Sequence, residues 1–310
     1  MSPKNKKTNK ILRRCITAFF FIVVPTLLFF LLKDLEWQEV KESLQGYSLT
    51  TLLGGVGIAA LSYTVFSCYD LLGRHYTGHD LATERVLRVA FVCYAFNLNF
   101  GAWLGGIALR YRLYSQAGLA LSTVTEILSI SLLANWVGYM LLAGILFSFR
   151  VIELPADWAI SAGALQLLGG ALIALSLLYL WACGFSRRRS WRWRDYEIEL
   201  PSLKLALMQV ALGTLNWSLM AALIYTLLPE EAFYPIVLAT LMVSSIAGVA
   251  THIPAGLGVL EAVFIALMRN DMATGALVAA LIAYRAIYFL LPLTLALVIY
   301  FVMERRAKKS

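Results

Sequence analysis

The stretch HIPAGLGVLE, residues 252–261, decides how this chain folds. It sets a His, a Pro, two Gly and a Glu between two runs that otherwise read as membrane-spanning helix. IVLATLMVSSIAGVAT (236–251) precedes it and AVFIALM (262–268) follows it. Either it is an ordinary loop with apolar flanks, or it is a helix broken inside the bilayer. The rest of the chain decides between them.

Charged residues make up only 14% of the 310 residues, apolar ones 60%, and the mean hydropathy is +0.75. A soluble domain carries about 25% charged residues. The composition is that of a polytopic helical membrane protein, with lipid as solvent for most side chains. Cys15, Cys68, Cys93 and Cys183 stand in or beside apolar runs without C-x-x-C spacing, so they indicate neither a disulfide framework nor a zinc site. The first apolar run follows KNKKTNKILRR but lacks a small-residue cleavage pattern, and it reads as a retained anchor.

Apolar runs fall at 12–32, 49–72, 89–109, 121–147, 160–182, 202–228, 235–251, 256–269 and 276–302. Spanning takes about 20 residues, so 256–269 is short. The run 89–109 is interrupted by Asn97, Asn99, Gly101, Gly105 and Gly106. Thr123 to Glu126 (TVTE) reads as a capping box opening the fourth run, and Pro235 suits the first turn of the seventh.

Basic residues set the orientation. Lys4, Lys6, Lys7, Lys10, Arg13 and Arg14 precede the first run, ERRAKKS ends the chain, and SRRRSWRWRDYEIELPSLK (186–204) is rich in Arg. The segments KDLEWQEVKE (33–42), RVIELPADW (150–158) and PEEAF (229–233) are acidic by comparison. The positive-inside rule places both termini and the Arg-rich loop in the cytoplasm and the acidic loops outside. Parity then requires 89–109 to leave the cytoplasm and return to it, and 235–269 to start and end outside. Both are expected as re-entrant hairpins. All basic residues then lie inside except Lys33, Lys41, Arg150, Arg269 and the in-span Arg285.

The halves 12–147 and 160–302 each read span, span, hairpin, span, the second inverted relative to the first. The fold class expected is an all-α polytopic membrane protein: one integral membrane domain of two inverted-topology repeats, each with three spanning helices and one re-entrant helical hairpin. Such repeats with interrupted helices recur in secondary transporters. The hairpins also align, GGIALR (105–110) with GLGVLE (256–261). On this reading the break at 252–261 is built into the fold.

A helix broken in hydrocarbon leaves backbone groups unpaired unless the break is buried in protein or lines a polar cavity. Pro254 ends one helix, Gly256 and Gly258 admit close backbone approach, and the next helix offers N–H groups to an anion such as phosphate. The alternative is a structural hairpin tip packed on its twin. Glu261 and Arg285 lie at similar depth, about 12 Å at 1.5 Å per residue, and intramembrane charges seek a partner or a water-filled cavity. Glu261 with Arg285, or Glu261 with Arg110 across the pseudo-twofold, are the natural pairs, serving structure, substrate or gating.

Arg110 and Arg112 in RYRLY meet lipid phosphates or enforce topology, with Tyr111 and Tyr114 as interfacial anchors. Asp70 is either an interfacial cap or a cavity carboxylate. Asn97, Asn99, Asn135 and Asn216 line the cavity or hydrogen-bond between helices. HYTGHD (75–80) sets His75 and His79 four apart beside Asp80, too few ligands for a metal. The Arg- and Trp-bearing loop suits anionic headgroups rather than nucleic acid. Neither H-E-x-x-H nor G-x-S-x-G occurs, and EEAFYP (230–235) has Pro235 where an E-E-x-x-x-R protease motif needs Arg. No enzyme, cofactor or metal is expected.

Three stretches carry a family resemblance: SYTVFSCYDLLGRHYTGH (62–79), FVCYAFNLNFGAWLGGIALRYRLYSQAGL (91–119) and SSIAGVATHIPAGLGVLEAVFIAL (244–267). With the P-x-G-x-G-x-x-E motif at Pro254–Glu261, the chain resembles the transmembrane domain of lysylphosphatidylglycerol synthetase/flippases over about residues 10–303. The resemblance implies a bacterial inner-membrane protein with a lipid-facing cavity between the hairpins. It places Arg110, Glu261 and Arg285 at the matching motif positions. The bifunctional relatives carry a soluble aminoacyl-transfer domain after the membrane part. This sequence stops at Ser310, so the expectation is that it does not itself make lysyl-lipid. The function expected is a flippase or transporter of an anionic phospholipid or lipid-linked headgroup. Candidate cargoes are phosphatidylglycerol, cardiolipin or a lipid-linked sugar. The alternative is a non-transporting membrane scaffold or accessory partner of a lipid-synthesising enzyme. The partners expected are anionic phospholipids, with a second copy of the chain (a homo-oligomer) or a lipid-synthesis enzyme beside them.

Overall fold

The computed structural model describes residues 37–152, 154, 161–187, 189–193, 196–229, 232–251 and 256–307. The first apolar run and Pro254 lie outside these residues. Eleven helices are described: α1 (Trp37–Gln45), α2 (Leu49–Thr77), α3 (Thr83–Phe100), α4 (Leu109–Gln116), α5 (Leu121–Ser148), α6 (Ala162–Phe185), α7 (Leu203–Leu227), α8 (Tyr234–Thr251), α9 (Val259–Met268), α10 (Thr274–Arg285) and α11 (Leu291–Ala307). π-helical turns, Ala102–Ala108 and Ala286–Leu290, lead into α4 and join α10 to α11. Among the described residues, six segments are long and apolar enough to cross a membrane: 49–77, 121–148, 162–185, 203–227, 234–251 and 274–305. One of them, α8, is the segment that parity made a hairpin arm.

Helices α2, α5 and α7 pack on one another and form the centre. Lipid tails are as apolar as Leu, so close backbone approach rather than hydrophobic contrast drives this packing. It is closest where α5 crosses α7. A Cβ on Gly138 would fall on the Gly213 backbone, and one on Gly213 would fall on the Ala134 carbonyl. On the flank, α6 lies against α5 with Gly169 facing Gly144.

The first hairpin turns at Gly101, whose φ of +84° suits a residue without Cβ. The π turn then runs back along α3, so close that a Cβ on Gly106 would lie 2.7 Å from Asn97 Oδ1. In the second half, α9 packs against α8, and Gly256 and Gly258 take φ of +56° and +79°.

The turn at 286–290 leaves carbonyls that cannot follow the α-helical ladder. Tyr63 Oη donates to the Tyr288 carbonyl at 3.0 Å, and Asn99 Nδ2 donates to that of Phe289 at 3.2 Å. Ser62 Oγ stands 2.7 Å from Tyr288 Oη and donates to Asn216 Oδ1 at 2.8 Å, while Tyr94 Oη is 2.8 Å from Tyr288 Oη. This buried polar chain ties α2, α3 and α7 to the turn.

Three local expectations change. The Arg-rich loop carries a short antiparallel ribbon, β1 (Ser190–Trp193) with β2 (Tyr196–Glu199), so among the described residues the fold is helical but for these two strands. The alternating Trp and Arg of WRWR are a period-2 pattern, which suits a strand. Helix α5 begins at Leu121 behind Ala120, so Thr123 lies inside its first turn and makes no capping box. From Trp37 onward the acidic segment after the first run is helical, as α1, which lays Val40 against Ile265, Val278 and Ala279.

Candidate functional site

Two carboxylate–arginine pairs stand out in a molecule this apolar. The first joins Asp70 on α2 to Arg110 on α4. Arg110 Nη2 donates to Asp70 Oδ1 at 2.8 Å and Nε to Oδ2 at 3.2 Å, the bidentate geometry that suits guanidinium and carboxylate. Ser131 Oγ and Tyr114 Oη also donate to this carboxylate, both at 2.7 Å. The Asp70 side chain is fully buried and that of Arg110 is 5% exposed. Asp70 is therefore no interfacial cap, and Tyr114, buried with its hydroxyl on Asp70, is no interfacial anchor.

The second pair joins Glu261, in the first turn of α9, to Arg285 at the end of α10. Arg285 Nε donates to Glu261 Oε1 at 2.6 Å and Nη2 to Oε2 at 3.2 Å. The same Nη2 donates to the Gly256 carbonyl at 3.1 Å, and Glu261 Oε2 accepts the Gly258 N–H at 2.9 Å. Glu261 thus caps the start of its own helix, where a carboxylate is favoured by the dipole. The Arg285 guanidinium also lies 5.1 Å from the Phe289 ring centroid. At 16% and 14% side-chain exposure, this pair is more open than the first. Of the two pairings open to Glu261, the structure forms the one with Arg285. Arg110 is held by Asp70 instead.

Each pair abuts a cavity. One of about 300 Å³ reaches Arg110 and Ser131 and is walled by Asn135, Trp136, Tyr139 and Trp217. Another of about 250 Å³ reaches Arg285, Gly256 and Tyr284. They share Asn97, Leu98, Trp217, Met220, Ser245 and Val249, so they adjoin along residues of α3, α7 and α8. Arg110 Nη1 makes no hydrogen bond among the described residues. The arrangement offers two arginines on adjoining spaces lined mostly by apolar and aromatic side chains.

The family follows from the whole chain. The family model described as lysylphosphatidylglycerol synthase TM region matches residues 16–296. The chain belongs to that family. It is 46% identical over 301 residues to "Inner membrane protein YbhN" of Escherichia coli (strain K12), across 97% of this chain and 95% of that protein. It is 29% identical over 293 residues to "Uncharacterized protein slr0712" of Synechocystis sp., across 93% and 90% of the two chains.

The remaining candidates separate. Arg112 is half exposed and lies apart from the cavities, paired with Glu304, with its guanidinium 5.8 Å from the Tyr300 ring. Asn97 and Asn135 line the cavities, whereas Asn99 and Asn216 hydrogen-bond between elements. Residues that the sequence reading missed are Ser131, Trp217 and Met220. A single polar or aromatic residue in an apolar helix gives no signal of which space it lines.

Proposed function

We propose that this chain carries an anionic phospholipid headgroup across the bacterial inner membrane, with Arg110 and Arg285 attracting the phosphate in turn. The observation that carries the proposal is the pair of adjoining cavities, each reached by one arginine that a carboxylate already neutralises. A headgroup phosphate entering either space competes with that carboxylate for the guanidinium, which favours exchange over tight capture. Glu261 pairs with Arg285 when the site is empty and releases it as the site loads. The reading requires no covalent chemistry.

The hairpins α3 to α4 and α8 to α9 are re-entrant in this proposal, and the two halves are inverted repeats. Support comes from the basic residues gathered on one side and from the Gly-rich tips, each followed by a charge at Arg110 or Glu261. The termini are cytoplasmic by the same rule. The printed name of the Escherichia coli relative supports the inner-membrane location.

Mass spectrometry of lipids retained after mild extraction tests the headgroup class. Wild-type protein should hold phosphatidylglycerol or cardiolipin in excess over their share of the source membrane, and Arg285→Gln should lose that excess. Retained lipid in the same proportions as the membrane, for both proteins, would contradict the assignment.

A further inference from the structure

A second basin lies outside the two cavities, at the turn between α2 and α3. It has a volume of about 430 Å³ and is lined by Leu71, Arg74, His75, Gly78, His79 and Thr83. No carboxylate lines it. Arg74 has no ion-pair partner among the described residues, and Arg74 Nη1 donates to Thr83 Oγ1 at 2.6 Å. With Thr83 Oγ1 accepting there, its own O–H is left to donate elsewhere.

The chemistry of His79 is fixed by its backbone. The Leu81 N–H donates to His79 Nδ1 at 3.2 Å, so Nδ1 carries the lone pair and the neutral ring bears its proton on Nε2. That Nε2 is buried and has no hydrogen-bond partner. His79 lines the basin, and a buried donor left unpaired is unfavourable, a cost that an acceptor reaching it recovers. Burial, and then the charge of Arg74, hold the His79 pKa below its ordinary value, so the ring serves as a neutral donor.

The start of α3 adds to this. Its N-cap is Ala82, which has no side chain to cap with, and the N–H groups of Thr83 and Glu84 make no hydrogen bond among the described residues. Such a helix end favours an anion. Of the carboxylates beside it, Glu84 is 3.2 Å from Arg88 Nη2, and Asp80, whose charge acts on His79, is exposed and outside the lining. Among the described residues there is no group of three or more His, Cys, Asp or Glu placed to hold a metal ion.

We infer that this basin binds a phosphate-type oxyanion, held by the Arg74 guanidinium, the Thr83 hydroxyl and the free N–H groups that start α3, with His79 Nε2 as a further donor. The ligand is a phosphomonoester or inorganic phosphate, taken either from solution or as the headgroup of a lipid such as phosphatidic acid. This site is independent of the transport proposal and shares no residue with the two cavities.

The test titrates inorganic phosphate into the detergent-purified full chain in phosphate-free buffer, against chloride at matched ionic strength. Phosphate should raise the unfolding midpoint saturably, and Arg74→Gln should weaken the apparent affinity about tenfold, the scale of one charge-assisted hydrogen bond. Thr83→Val provides a second variant should Arg74→Gln not fold. Arg85→Gln, which removes a nearby exposed charge, should leave the affinity unchanged. In parallel, native mass spectrometry compares retention of phosphatidic acid and phosphatidylcholine by wild type and Arg74→Gln. Selective phosphatidic acid retention lost in Arg74→Gln identifies a lipid source, and a phosphate response without it identifies a soluble one. The inference falls if neither probe distinguishes wild type from Arg74→Gln and Thr83→Val. It also falls if Arg85→Gln weakens binding equally, which would reduce the effect to general surface charge.

Discussion

Replacing Asp70 by Asn should be the most damaging single conservative change in this protein. The Asp70 carboxylate accepts from Arg110 Nε and Nη2, Tyr114 Oη and Ser131 Oγ, and no part of it is exposed. An amide keeps one acceptor oxygen and sets an NH₂ group against donors on the other side. It also leaves the Arg110 charge, 5% exposed, without a counter-ion. Breaking a buried pair from one side costs about 3–5 kcal/mol. Glu261→Gln should cost about 1–2 kcal/mol, because its pair is more open and a glutamine oxygen can still accept the Gly258 N–H. The assay is unfolding by graded SDS in mixed micelles, followed by tryptophan fluorescence. The double variant Asp70→Leu with Arg110→Met should recover most of the loss, since a buried ion pair replaced by apolar groups of similar size is often close to neutral. The reasoning is refuted if Glu261→Gln destabilises more than Asp70→Asn, or if the double variant is no more stable than Asp70→Asn.

Three further outcomes can be checked independently. Gly213→Ala places a methyl on the Ala134 carbonyl and should destabilise by about 1–3 kcal/mol in the same assay. Gly57→Ala, with nothing near its added carbon, should be neutral or stabilising, and equal effects would contradict the close crossing of α5 and α7. Ser245→Phe puts a ring where the two cavities adjoin and should slow lipid movement at least about tenfold without unfolding the protein; unimpeded movement would place the path elsewhere. Because the folded-state pKa of His79 is depressed, its contribution to stability is present above the unfolded value of about 6.5 and is lost as pH falls through the lower folded one. Unfolding midpoints in phosphate-free buffer should therefore drop more between about pH 8 and pH 5 for wild type than for His79→Gln, and parallel profiles would show that the ring is not desolvated.

Much of this architecture is legible in the sequence because hydrocarbon makes exceptions conspicuous. A Glu and an Arg within apolar runs announce themselves, and their similar depth makes Glu261 with Arg285 one of two natural pairings, Glu261 with Arg110 being the other. The Gly-rich tips are equally plain, since a backbone that turns at positive φ or runs close to another helix leaves no room for a Cβ. Pairing across the chain is harder to read. Asp70 and Arg110 are each visible, but nothing in their local pattern says that α2 and α4 meet, so Arg110 was as readily matched to Glu261. Tyr114 looks like an interfacial anchor because aromatic residues beside Arg usually are. Only packing shows its hydroxyl on Asp70. The ribbon at 190–199 was hidden by its charge, since WRWR draws attention as a basic run before it is read as an alternation. The polar chain of Ser62, Tyr94, Asn216 and Tyr288 carries no spacing signal, because its members come from four separate elements.

Transbilayer movement of fluorescent phosphatidylglycerol in proteoliposomes, scored by quencher accessibility with and without a pH gradient, is the measurement that bears most directly on the transport proposal. Wild-type protein is predicted to move the lipid well above protein-free vesicles, and Glu261→Gln, still folded, to lose that movement. Movement retained in full by Glu261→Gln would contradict the role given to the second hairpin. No movement by wild type in either condition, with phosphatidylglycerol or cardiolipin, would contradict transport itself.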